Sequence, residues 1–530
     1  MKSITLERLI LIISFIYLFY NYRFFSNTLQ IYIVENSFWF IISLALVLFL
    51  FNLLIFSLLS FRYTTKPLFI TLFILSSITA YFMDSYNTII NSEMIRNILQ
   101  TNMKESLELF NIKLLLYLGF LGIIPSFIIY KLKIIYPSFK RAIFLKIKYT
   151  TATLLLIAAI FFLFSKHYTS FFREHKPLRY SINPHFWLYS IGKYINTLTI
   201  TPTSLKAIGL DAKIIEEEEE EKPHNELVIF VLGETARSDH FSLNGYKKKT
   251  NPLLEKEDII SFKNLSSCGT STAFSVPCIF SFYDRKNFSY KKAKTTYNIL
   301  DILNYTNKIE ILWRDNNSDS KGVALRVKYE DFKSPKNNPI CFEGECRDEG
   351  MLVGLEKFIK EHPNKDIFIV LHQIGSHGPA YYKRYPKEFE KFTPVCKTNQ
   401  LQECSKEEII NSYDNTILYT DYFLSKVINF LKKYEKQHYQ TAMLYVSDHG
   451  ESLGENGIYL HGLPYFIAPK AQKSVAALLW LGENIKEDIN YRLVKAKENQ
   501  KLSHDSIFHT LLGLFEVQTK LYKKEEDILR

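Results

Sequence analysis

The chain has no cysteine in its first 267 residues and no long apolar run after about residue 166. Because a membrane-spanning helix needs about 20 mainly apolar residues, any membrane anchor must lie in the first third of the sequence. No small-residue cleavage site follows the first apolar stretch, which argues against a cleaved signal peptide. With 47% apolar and 15% aromatic residues among 530, extended disorder is not expected either. The composition therefore indicates a membrane anchor joined to a soluble domain.

Five apolar stretches have lengths suited to crossing a membrane. They occupy residues 9–25, 38–60, 67–83, 114–130 and 149–164. Lysines and arginines are concentrated before the first stretch, between the second and third, and between the fourth and fifth, and these segments are expected in the cytoplasm. An odd number of crossings then exports the rest of the chain, which in a bacterium means an inner-membrane protein with a periplasmic domain.

The cysteines form three close pairs in the exported part: Cys268 with Cys278, Cys341 with Cys346, and Cys396 with Cys404. Local pairing is one of fifteen formal connectivities and is the one that the spacing favours. Zinc binding by the segment CFEGEC is the competing interpretation, but no matching histidine pair lies nearby. Disulfides in an oxidising compartment are the better prediction.

Composition divides the chain into an anchor at 1–165, a periplasmic linker at 166–225 and a catalytic domain at 226–530. The linker is irregular in pattern, contains aromatics suited to an interfacial helix, and ends in six consecutive glutamates at 216–221. After it, short apolar strands are expected at 226–232, 309–313, 367–371, 442–446 and 475–481, with a clear helix at 407–434. Strands alternating with helices predict a mostly parallel α/β sheet.

Residues with metal-binding side chains follow several of these strands. They are Glu234, His372, His377, Asp448 and His449, with His461 a little further on. The carboxyl ends of parallel strands meet at one edge of a sheet, so these groups are expected to converge. Mixed oxygen and nitrogen ligands favour zinc, with manganese as the second candidate.

A hydroxyl-rich segment, SCGTSTAFSVPC at 267–278, supplies candidate nucleophiles. Thr270, Ser271, Thr272 and Ser275 are all candidates by composition, and each needs a base or a metal to activate it. A zinc ion held by Glu234, Asp448 and His449 would deprotonate such a hydroxyl and direct it at phosphorus. His377 and His461 could hold a second metal or protonate the leaving group.

Five long motifs follow one another along the exported part: GETARSDHFSLNGY, SCGTSTAFSVPC, ILWRDNNSDSKG, HQIGSHGPAYYKRYP and SDHGESLGENGIYLHGLPY. In this order they resemble the motifs of the bacterial phosphoethanolamine transferases that modify lipid A, a family that includes the mobile colistin-resistance enzymes. The five-span anchor resembles that family too. Two departures are the glutamate run and Phe274, which stands where the family commonly has tyrosine.

The resemblance implies an alkaline-phosphatase or sulfatase-like fold and a zinc ion bound at Glu234, Thr272, Asp448 and His449. It selects Thr272 as the nucleophile and places Glu451 beside the metal. It assigns binding of the phosphoethanolamine group to Asn317, Lys321, His377 and His461, and contact with the lipid to Asn97, Thr101 and Glu105. It further implies phosphatidylethanolamine as donor, lipid A or lipooligosaccharide as acceptor, and release of diacylglycerol.

Three functions remain as alternatives to lipid A transfer: a phosphodiesterase or sulfatase-type hydrolase, a transferase with another periplasmic glycan or protein acceptor, and a binding protein with a structural zinc. A structural site would be closed by cysteines or histidines without a hydroxyl ligand, which argues against the third. The net charge of +11 suits anionic lipid surfaces, and the lysines at 247–249 and 291–294 could contact lipid phosphates or be solvated. A nucleic-acid partner is excluded by the exported location, and a monomer is expected.

Overall fold

The computed structural model of the protein describes residues 3–32, 34–101, 103–198, 204–214, 225–437 and 439–530. The chain forms two compact units. The first comprises Met1–Ile95 and Phe110–Tyr194, and the second comprises Arg96–Leu109 and Ile195–Arg530. The predicted division at residues 165 and 225 follows composition and remains a prediction, and the glutamate run lies outside the described residues.

Among its described residues, the first unit contains four helices that are long and apolar enough to cross a membrane. They are Ser37–Leu59, Thr65–Tyr86, Ile112–Lys131 and Phe139–Leu163. The first predicted span is a pair of helices, Leu6–Phe19 and Tyr22–Ile31, bent by 54°. Counted as one span, this pair brings the total to the predicted five.

Asn21 explains the bend, because its side-chain amide donates to a carbonyl that would otherwise accept from a backbone N–H of the helix. Its Nδ2 donates to the carbonyl of Tyr17 at 2.8 Å and to that of Asn183 at 2.7 Å. In an uninterrupted α-helix the carbonyl of Tyr17 would accept from the backbone N–H of residue 21. That N–H instead bonds to the carbonyl of Leu18, so the helix tightens and breaks here.

Shorter helices complete the anchor and the stretch that follows it. They span Ser92–Gln100, Met103–Glu108, Ser165–Glu174, Lys176–Arg179 and His185–Leu198. The stretch after residue 165 is therefore more helical than its irregular pattern predicts. Tyr168, Phe171 and Leu178 are buried against Phe24 and Phe40, so tertiary packing stabilises helices that local propensity does not indicate.

The second unit is built on a seven-stranded sheet. Its strands in chain order are β1 Glu226–Gly233, β2 Ile259–Ser261, β3 Ile309–Asp315, β4 Lys328–Asp331, β5 Asp366–His372, β6 Gln440–Ser447 and β7 Ala477–Leu481. Their order in space is β2-β7-β6-β1-β5-β3-β4, in which β6, β1, β5, β3 and β4 are parallel to one another and β7 runs antiparallel to both of its neighbours, β6 and β2. The predicted mostly parallel α/β sheet is confirmed, with an antiparallel edge.

Both faces of the sheet are covered, which explains why its strands read as continuous apolar runs. Along β1, Val228, Phe230 and Leu232 face one core, and Leu227, Ile229 and Val231 face the other. All six side chains are fully buried. This burial anchors β1 and its neighbours firmly, so the positions of their carboxyl ends are well determined.

Several helices pack around the sheet. The principal ones are Thr272–Ile279, Tyr290–Thr295, Ile299–Tyr305, Leu355–Lys360, Lys406–Glu435, Tyr491–Lys495 and Asp505–Leu514. The 30-residue helix Lys406–Glu435 begins with a capping box, in which Ser405 and Glu408 exchange side-chain to backbone hydrogen bonds. This signal places the helix start one residue before the predicted one.

Candidate active site

Strand register brings the predicted metal ligands together. Strands β1 and β6 are parallel neighbours, and Gly233 pairs with Ser447 at their carboxyl ends. Glu234 directly follows β1, and Asp448 and His449 directly follow β6. All three side chains are fully buried. The ligand atoms of Glu234, Asp448 and His449 lie within 4.8 Å of one another.

Thr272 brings a hydroxyl to this cluster. Its Oγ1 lies 3.1 Å from Glu234 Oε2 and 3.3 Å from His449 Nε2. Thr272 begins the helix Thr272–Ile279, and the first N–H groups of a helix have no partner within the helix and favour an anion. A phosphoryl group at Thr272 would therefore meet favourable backbone dipoles.

The other three candidate hydroxyls have different surroundings. Thr270 Oγ1 donates to the carbonyl of Leu463 at 2.6 Å, and Ser275 Oγ accepts from the N–H of Gly269 at 3.1 Å. Ser271 Oγ is buried without a hydrogen-bond partner among the described residues. Geometry thus selects Thr272 as the hydroxyl beside the carboxylates, as the family resemblance implies.

The donor set fits a divalent cation. His449 Nδ1 lies 2.9 Å from the carbonyl of Gly450, so that nitrogen carries the proton and Nε2 offers a lone pair toward Glu234 and Asp448. Asp448 Oδ1 accepts from the N–H groups of Thr235 and His449. Its Oδ2 is buried with no hydrogen-bond partner in the part of the chain that the structure describes. An orphaned buried carboxylate oxygen beside an imidazole lone pair is a position for a metal ion.

Electrostatics support the same conclusion. Burial, together with the negative charge of Asp448, raises the pKa of Glu234 well above its usual value. Burial also raises the pKa of Asp448. Burial and the neighbouring His461 hold the pKa of His449 well below its usual value. Two buried carboxylates beside a neutral imidazole are costly without a cation, which would stabilise their ionised forms.

A second group of ligand-type residues adjoins the first. His449, Glu451 and His461 could also hold a cation. Glu451 Oε2 lies 2.7 Å from His461 Nδ1, and Glu451 Oε1 accepts from the hydroxyl of Tyr381 at 2.6 Å. The rings of His377 and His461 lie 6.2 Å apart. Burial, followed by the positive charge of Arg384, keeps the pKa of His377 well below its usual value.

A small cavity of about 70 Å³ opens beside Thr272. It is lined by Asn97, Gln100, Thr101, Thr272, Ala273, Asn317, Ser318, Lys321, His377 and His461. Asn97 Oδ1 and His377 Nδ1 are both buried without hydrogen-bond partners within the described residues. Unsatisfied polar atoms around one cavity indicate a polar ligand there. Six of the predicted substrate-binding residues thus share this cavity, whereas the side chain of Glu105 lies outside the described residues.

Asn317 and Lys321 have surroundings that the sequence does not foretell. Asn317 Nδ2 donates to Glu234 Oε2 and to the carbonyl of Gln373, both at 2.8 Å, so it orients a metal ligand as well as lining the cavity. The side chain of Lys321 is only 6% exposed, and its Nζ lies 3.6 Å from Asp319 Oδ1. Lys321 is therefore not the solvated lysine that its polar loop would suggest.

Among the described residues His372 is not one of the grouped ligands, although it ends a strand beside them. Its Nδ1 lies 2.8 Å from Asp315 Oδ2, and both side chains are fully buried. Burial alone would raise the pKa of Asp315, but the charge and hydrogen bond of the adjacent His372 lower it, and the pKa lies below its usual value. Asp315 Oδ1 in turn accepts from the N–H of Asn317 at 3.0 Å, so this pair supports the loop that holds Asn317.

Sequence reasoning missed Tyr381, Asp315 and Gly375. Gly375 has φ +48°, and a Cβ there would lie 3.0 Å from the carbonyl oxygen of Glu234. Glycine is required because the loop must turn and approach Glu234 closely. The available signal was the position of Gly375 and Tyr381 within HQIGSHGPAYYKRYP, since loop residues beside a strand end commonly serve a site.

The lysine clusters are only partly free surfaces. Lys248 Nζ donates to Asp414 Oδ2 at 2.7 Å and to Asn411 Oδ1 at 2.6 Å. Lys292 Nζ donates to the carbonyl of Asn287 at 2.6 Å. Lys248 is therefore a structural residue, which corrects its interpretation as a lipid contact or a solvated charge.

The six cysteines form the three local disulfides that their spacing favours: Cys268–Cys278, Cys341–Cys346 and Cys396–Cys404. The first encloses a segment that contains Thr272. The second closes a two-stranded hairpin formed by Cys341–Phe342 and Glu345–Cys346. The zinc alternative for CFEGEC is therefore wrong.

The second unit thus combines an α/β sheet with a group of possible metal ligands and a threonine at its carboxyl edge, and a family model described as "Sulfatase" matches residues 226–517. A second family model, "Phosphoethanolamine transferase EptA/EptB", matches residues 48–198. The chain belongs to the family of phosphoethanolamine transferases, as the following relatives show.

The phosphatidylethanolamine transferase Mcr-2 of Escherichia coli is 44% identical over 94% of this chain and 92% of its own length. The phosphoethanolamine transferase EptA of Escherichia coli K12 is 39% identical over 96% of this chain and 94% of its own. The solved structure of the integral membrane lipooligosaccharide phosphoethanolamine transferase A of Neisseria meningitidis has a TM-score of 0.95 and 32% identity, covering 100% of this chain and 99% of that one. These likenesses confirm the predicted fold and a multi-pass inner-membrane protein with a periplasmic soluble domain.

Proposed function

We propose that this protein transfers phosphoethanolamine from phosphatidylethanolamine to lipid A or lipooligosaccharide through a covalent intermediate on Thr272. The observation that carries the proposal is the position of Thr272 Oγ1, 3.1 Å from Glu234 Oε2 and 3.3 Å from His449 Nε2. A hydroxyl at that distance from a carboxylate can pass on its proton as it attacks. The named activities of Mcr-2 and EptA support the choice of phosphoethanolamine as the transferred group.

Glu234, Asp448 and His449, together with Thr272 Oγ1, would hold the zinc ion. Bound there, zinc lowers the pKa of a coordinated hydroxyl and stabilises negative charge on phosphoryl oxygens. Asn317 fixes the orientation of Glu234 through its hydrogen bond to Oε2. The residues His449, Glu451 and His461 provide a position for a second cation.

The donor would bind with its phosphoryl group between Thr272 and Lys321. Lys321 is held on the cavity wall, where its ammonium can pair with a phosphate oxygen. Asn97, Thr101, His377 and His461 offer polar atoms to the rest of the phosphoethanolamine group from the same cavity.

In the first step Thr272 Oγ1 forms a bond to phosphorus as the bond from phosphorus to the diacylglycerol oxygen breaks. That oxygen takes up the proton that Thr272 gave up and leaves as diacylglycerol, and His461 lines the cavity where it can relay that proton. In the second step a hydroxyl of lipid A, on a sugar or on a phosphate group, forms a bond to phosphorus as the bond between phosphorus and Thr272 Oγ1 breaks, and Oγ1 takes back the proton that the attacking hydroxyl loses. A ping-pong reaction of this kind needs no water in the site.

Replacement of Thr272 tests this proposal. Thr272→Ala is expected to lower lipid A modification by more than a thousandfold, measured by lipid A mass analysis with the full-length protein, whereas Thr272→Ser retains part of it. Thr270→Ala is the matched control, because the hydroxyl of Thr270 donates to the carbonyl of Leu463 and not to the ligand cluster. Transfer that survives in Thr272→Ala would remove the nucleophile.

The covalent intermediate can be sought directly. Incubation with phosphatidylethanolamine alone is expected to add one phosphoethanolamine to the peptide that contains Thr272, measured by mass spectrometry of proteolytic peptides. Steady release of free phosphoethanolamine, with no mass change in lipid A, would instead identify a hydrolase of the same fold.

A further inference from the structure

The segment Arg96–Leu109 lies between two parts of the anchor in sequence but belongs to the compact catalytic unit. It carries Asn97, Gln100 and Thr101, which form one wall of the cavity beside Thr272. For these residues to keep their positions, contacts must hold the segment against the remainder of the catalytic unit. The described residues show such contacts at both of its ends.

At the start of the segment, the guanidinium of Arg96 lies over the ring of Tyr290. At its end, Glu108 Oε2 accepts from Arg384 Nη2 at 2.5 Å. Lys383 Nζ lies 4.0 Å from the other oxygen of Glu108. Both tethers are cation contacts to residues of the catalytic unit.

Arg384 is the centre of a buried ion network. Its Nη1 donates to Glu345 Oε2 at 2.9 Å, so one guanidinium joins two carboxylates. The side chains of Arg384, Glu108 and Glu345 are 2%, 6% and 7% exposed. Glu345 comes from the hairpin that the disulfide Cys341–Cys346 closes. Three separate parts of the chain therefore meet at one guanidinium.

The same guanidinium reaches the catalytic loop. Arg384 Nε donates to the carbonyl of His377 at 2.8 Å. His377 lines the cavity together with Asn97 and Thr101. Arg384 thus fixes two parts of the lining of one cavity relative to each other, through Glu108 and through the backbone of His377.

The chemistry of this network is suited to holding its partners in one fixed arrangement, and not only to attaching the segment to the catalytic unit. A planar guanidinium bonds in fixed directions, so it accepts few arrangements of its partners. Removing one partner of a buried pair leaves the others uncompensated, which makes the arrangement sensitive to each member. By contrast, the exposed pair Lys357 and Glu361 at 3.8 Å imposes no such constraint.

We propose that Glu108, Arg384 and Glu345 are positioning residues that hold the segment Arg96–Leu109 as the donor-binding wall of the active site. This inference rests on the proposed transfer from phosphatidylethanolamine. The contacts of the network run to the segment, to the hairpin and to the backbone of His377. Its loss is therefore expected to act mainly on the binding of the donor in the cavity.

Glu108→Gln in the full-length protein tests the proposal, because it removes the charge but keeps the shape. We expect kcat/KM for phosphatidylethanolamine to fall about 10- to 100-fold, mainly through KM. The turnover of methyl p-nitrophenyl phosphate, a small diester that reaches Thr272 without filling the cavity, should change less than twofold. Glu108→Asp should recover part of the loss, and Glu345→Gln should act in the same direction as Glu108→Gln.

Glu388→Gln is the matched control, since Glu388 is exposed four residues from Arg384. A kcat/KM for phosphatidylethanolamine within twofold of wild type in Glu108→Gln would overturn the proposal. An equal fall for both substrates would also overturn it, because it would indicate a general structural role. If Glu108→Gln does not fold, Glu345→Gln and Glu108→Asp are judged by the same criteria. If wild type itself fails to use phosphatidylethanolamine while cleaving the small diester, the proposed function fails instead.

Discussion

Tyr381 shows how one hydroxyl can orient a histidine of the candidate site through a carboxylate that lies between them. Its O–H donates to Glu451 Oε1 at 2.6 Å, and Glu451 Oε2 lies 2.7 Å from His461 Nδ1. Tyr381 is 1% exposed, and a Cβ on Gly378 would collide with its hydroxyl at 2.8 Å. The tyrosine and Gly378 together fix Glu451, and Glu451 fixes the imidazole.

Tyr381→Phe is expected to lower lipid A transfer about 10-fold with little change in thermal stability, because it removes one hydrogen bond that orients Glu451. The measurement is the rate of transfer by full-length protein, beside a thermal unfolding curve. Tyr382→Phe, at the adjacent and less buried tyrosine, is the control. Equal activities of the two variants would show that the contact to Glu451 has no catalytic consequence.

The carboxyl group of Asp421 is expected to make the free energy of unfolding depend on pH. Burial raises its pKa to about 7, although the N–H groups of Leu254 and Leu253 donate to it. The folded state then holds a proton that the unfolded chain loses near pH 4, so this carboxyl stabilises the fold at low pH and that contribution disappears as the pH rises toward 7. At one pKa unit per 1.36 kcal/mol, the change amounts to about 4 kcal/mol.

Asp421→Asn should remove this dependence. Its melting temperature relative to wild type is expected to rise between pH 5 and pH 8, measured by thermal unfolding in detergent. A difference that stays constant across this range would show that Asp421 is ionised in the fold at the lower pH.

At the scale of single residues, sequence analysis can identify a site residue that directly follows a strand. It cannot identify a residue whose role depends on partners that are distant in sequence. Glu234, Asp448 and His449 are found because each directly follows an apolar run. Tyr381 and Arg384 are not found, because their partners Glu451, Glu108 and Glu345 are far away in sequence. Lys248 is misjudged for the same reason, since Asp414 lies on a helix more than 160 residues later.

At the scale of elements, the disulfide Cys268–Cys278 closes the turn that leads into the helix Thr272–Ile279. Its partners are ten residues apart, and closing a loop of that length stabilises a fold by about 3 kcal/mol in the chain-entropy account. The disulfide also restrains the helix start that carries Thr272. Apolar runs in the sequence predict five of the seven strands and the helix Lys406–Glu435, but they do not predict the edge strands Ile259–Ser261 and Lys328–Asp331. They do not predict the short helices after residue 165 either, because those helices depend on packing against Phe24 and Phe40.

Replacing Cys268 and Cys278 by serine should lower both thermal stability and transfer. The loss of transfer is expected to exceed that in the matched variant with Cys396 and Cys404 replaced by serine, because only the first pair adjoins Thr272. Thermal unfolding and lipid A mass analysis of the two variants are the measurements. Equal losses of transfer would mean that the first disulfide acts through stability alone.

At the scale of the whole molecule, the catalytic unit is expected to depend on its cation for stability as well as for activity. Two buried carboxylates, Glu234 and Asp448, lie close together, and a cation that binds only the folded state stabilises it by about 2.7 kcal/mol at a hundred times its dissociation constant. Sequence analysis predicts the ligands of this site. It does not predict that the segment Arg96–Leu109 joins the catalytic unit, because only tertiary contacts decide that.

Removal of metal by dipicolinate should abolish transfer and lower the melting temperature, and added zinc should restore both. Asp448→Asn is expected to show no further drop with the chelator, because it already lacks one ligand charge. Full transfer in exhaustively chelated protein would contradict a cation at this site.

The chain enters its catalytic unit twice, first for fourteen residues and then for the remainder. An excised fragment starting at Ile195 would keep Thr272 and its carboxylates but would lack Asn97, Thr101 and Glu108. Inhibitors selected against such a fragment would fit a cavity that lacks the lining residues Asn97, Gln100 and Thr101, which the full-length protein supplies. Drug discovery against this enzyme should therefore begin from the full-length protein in a lipid environment.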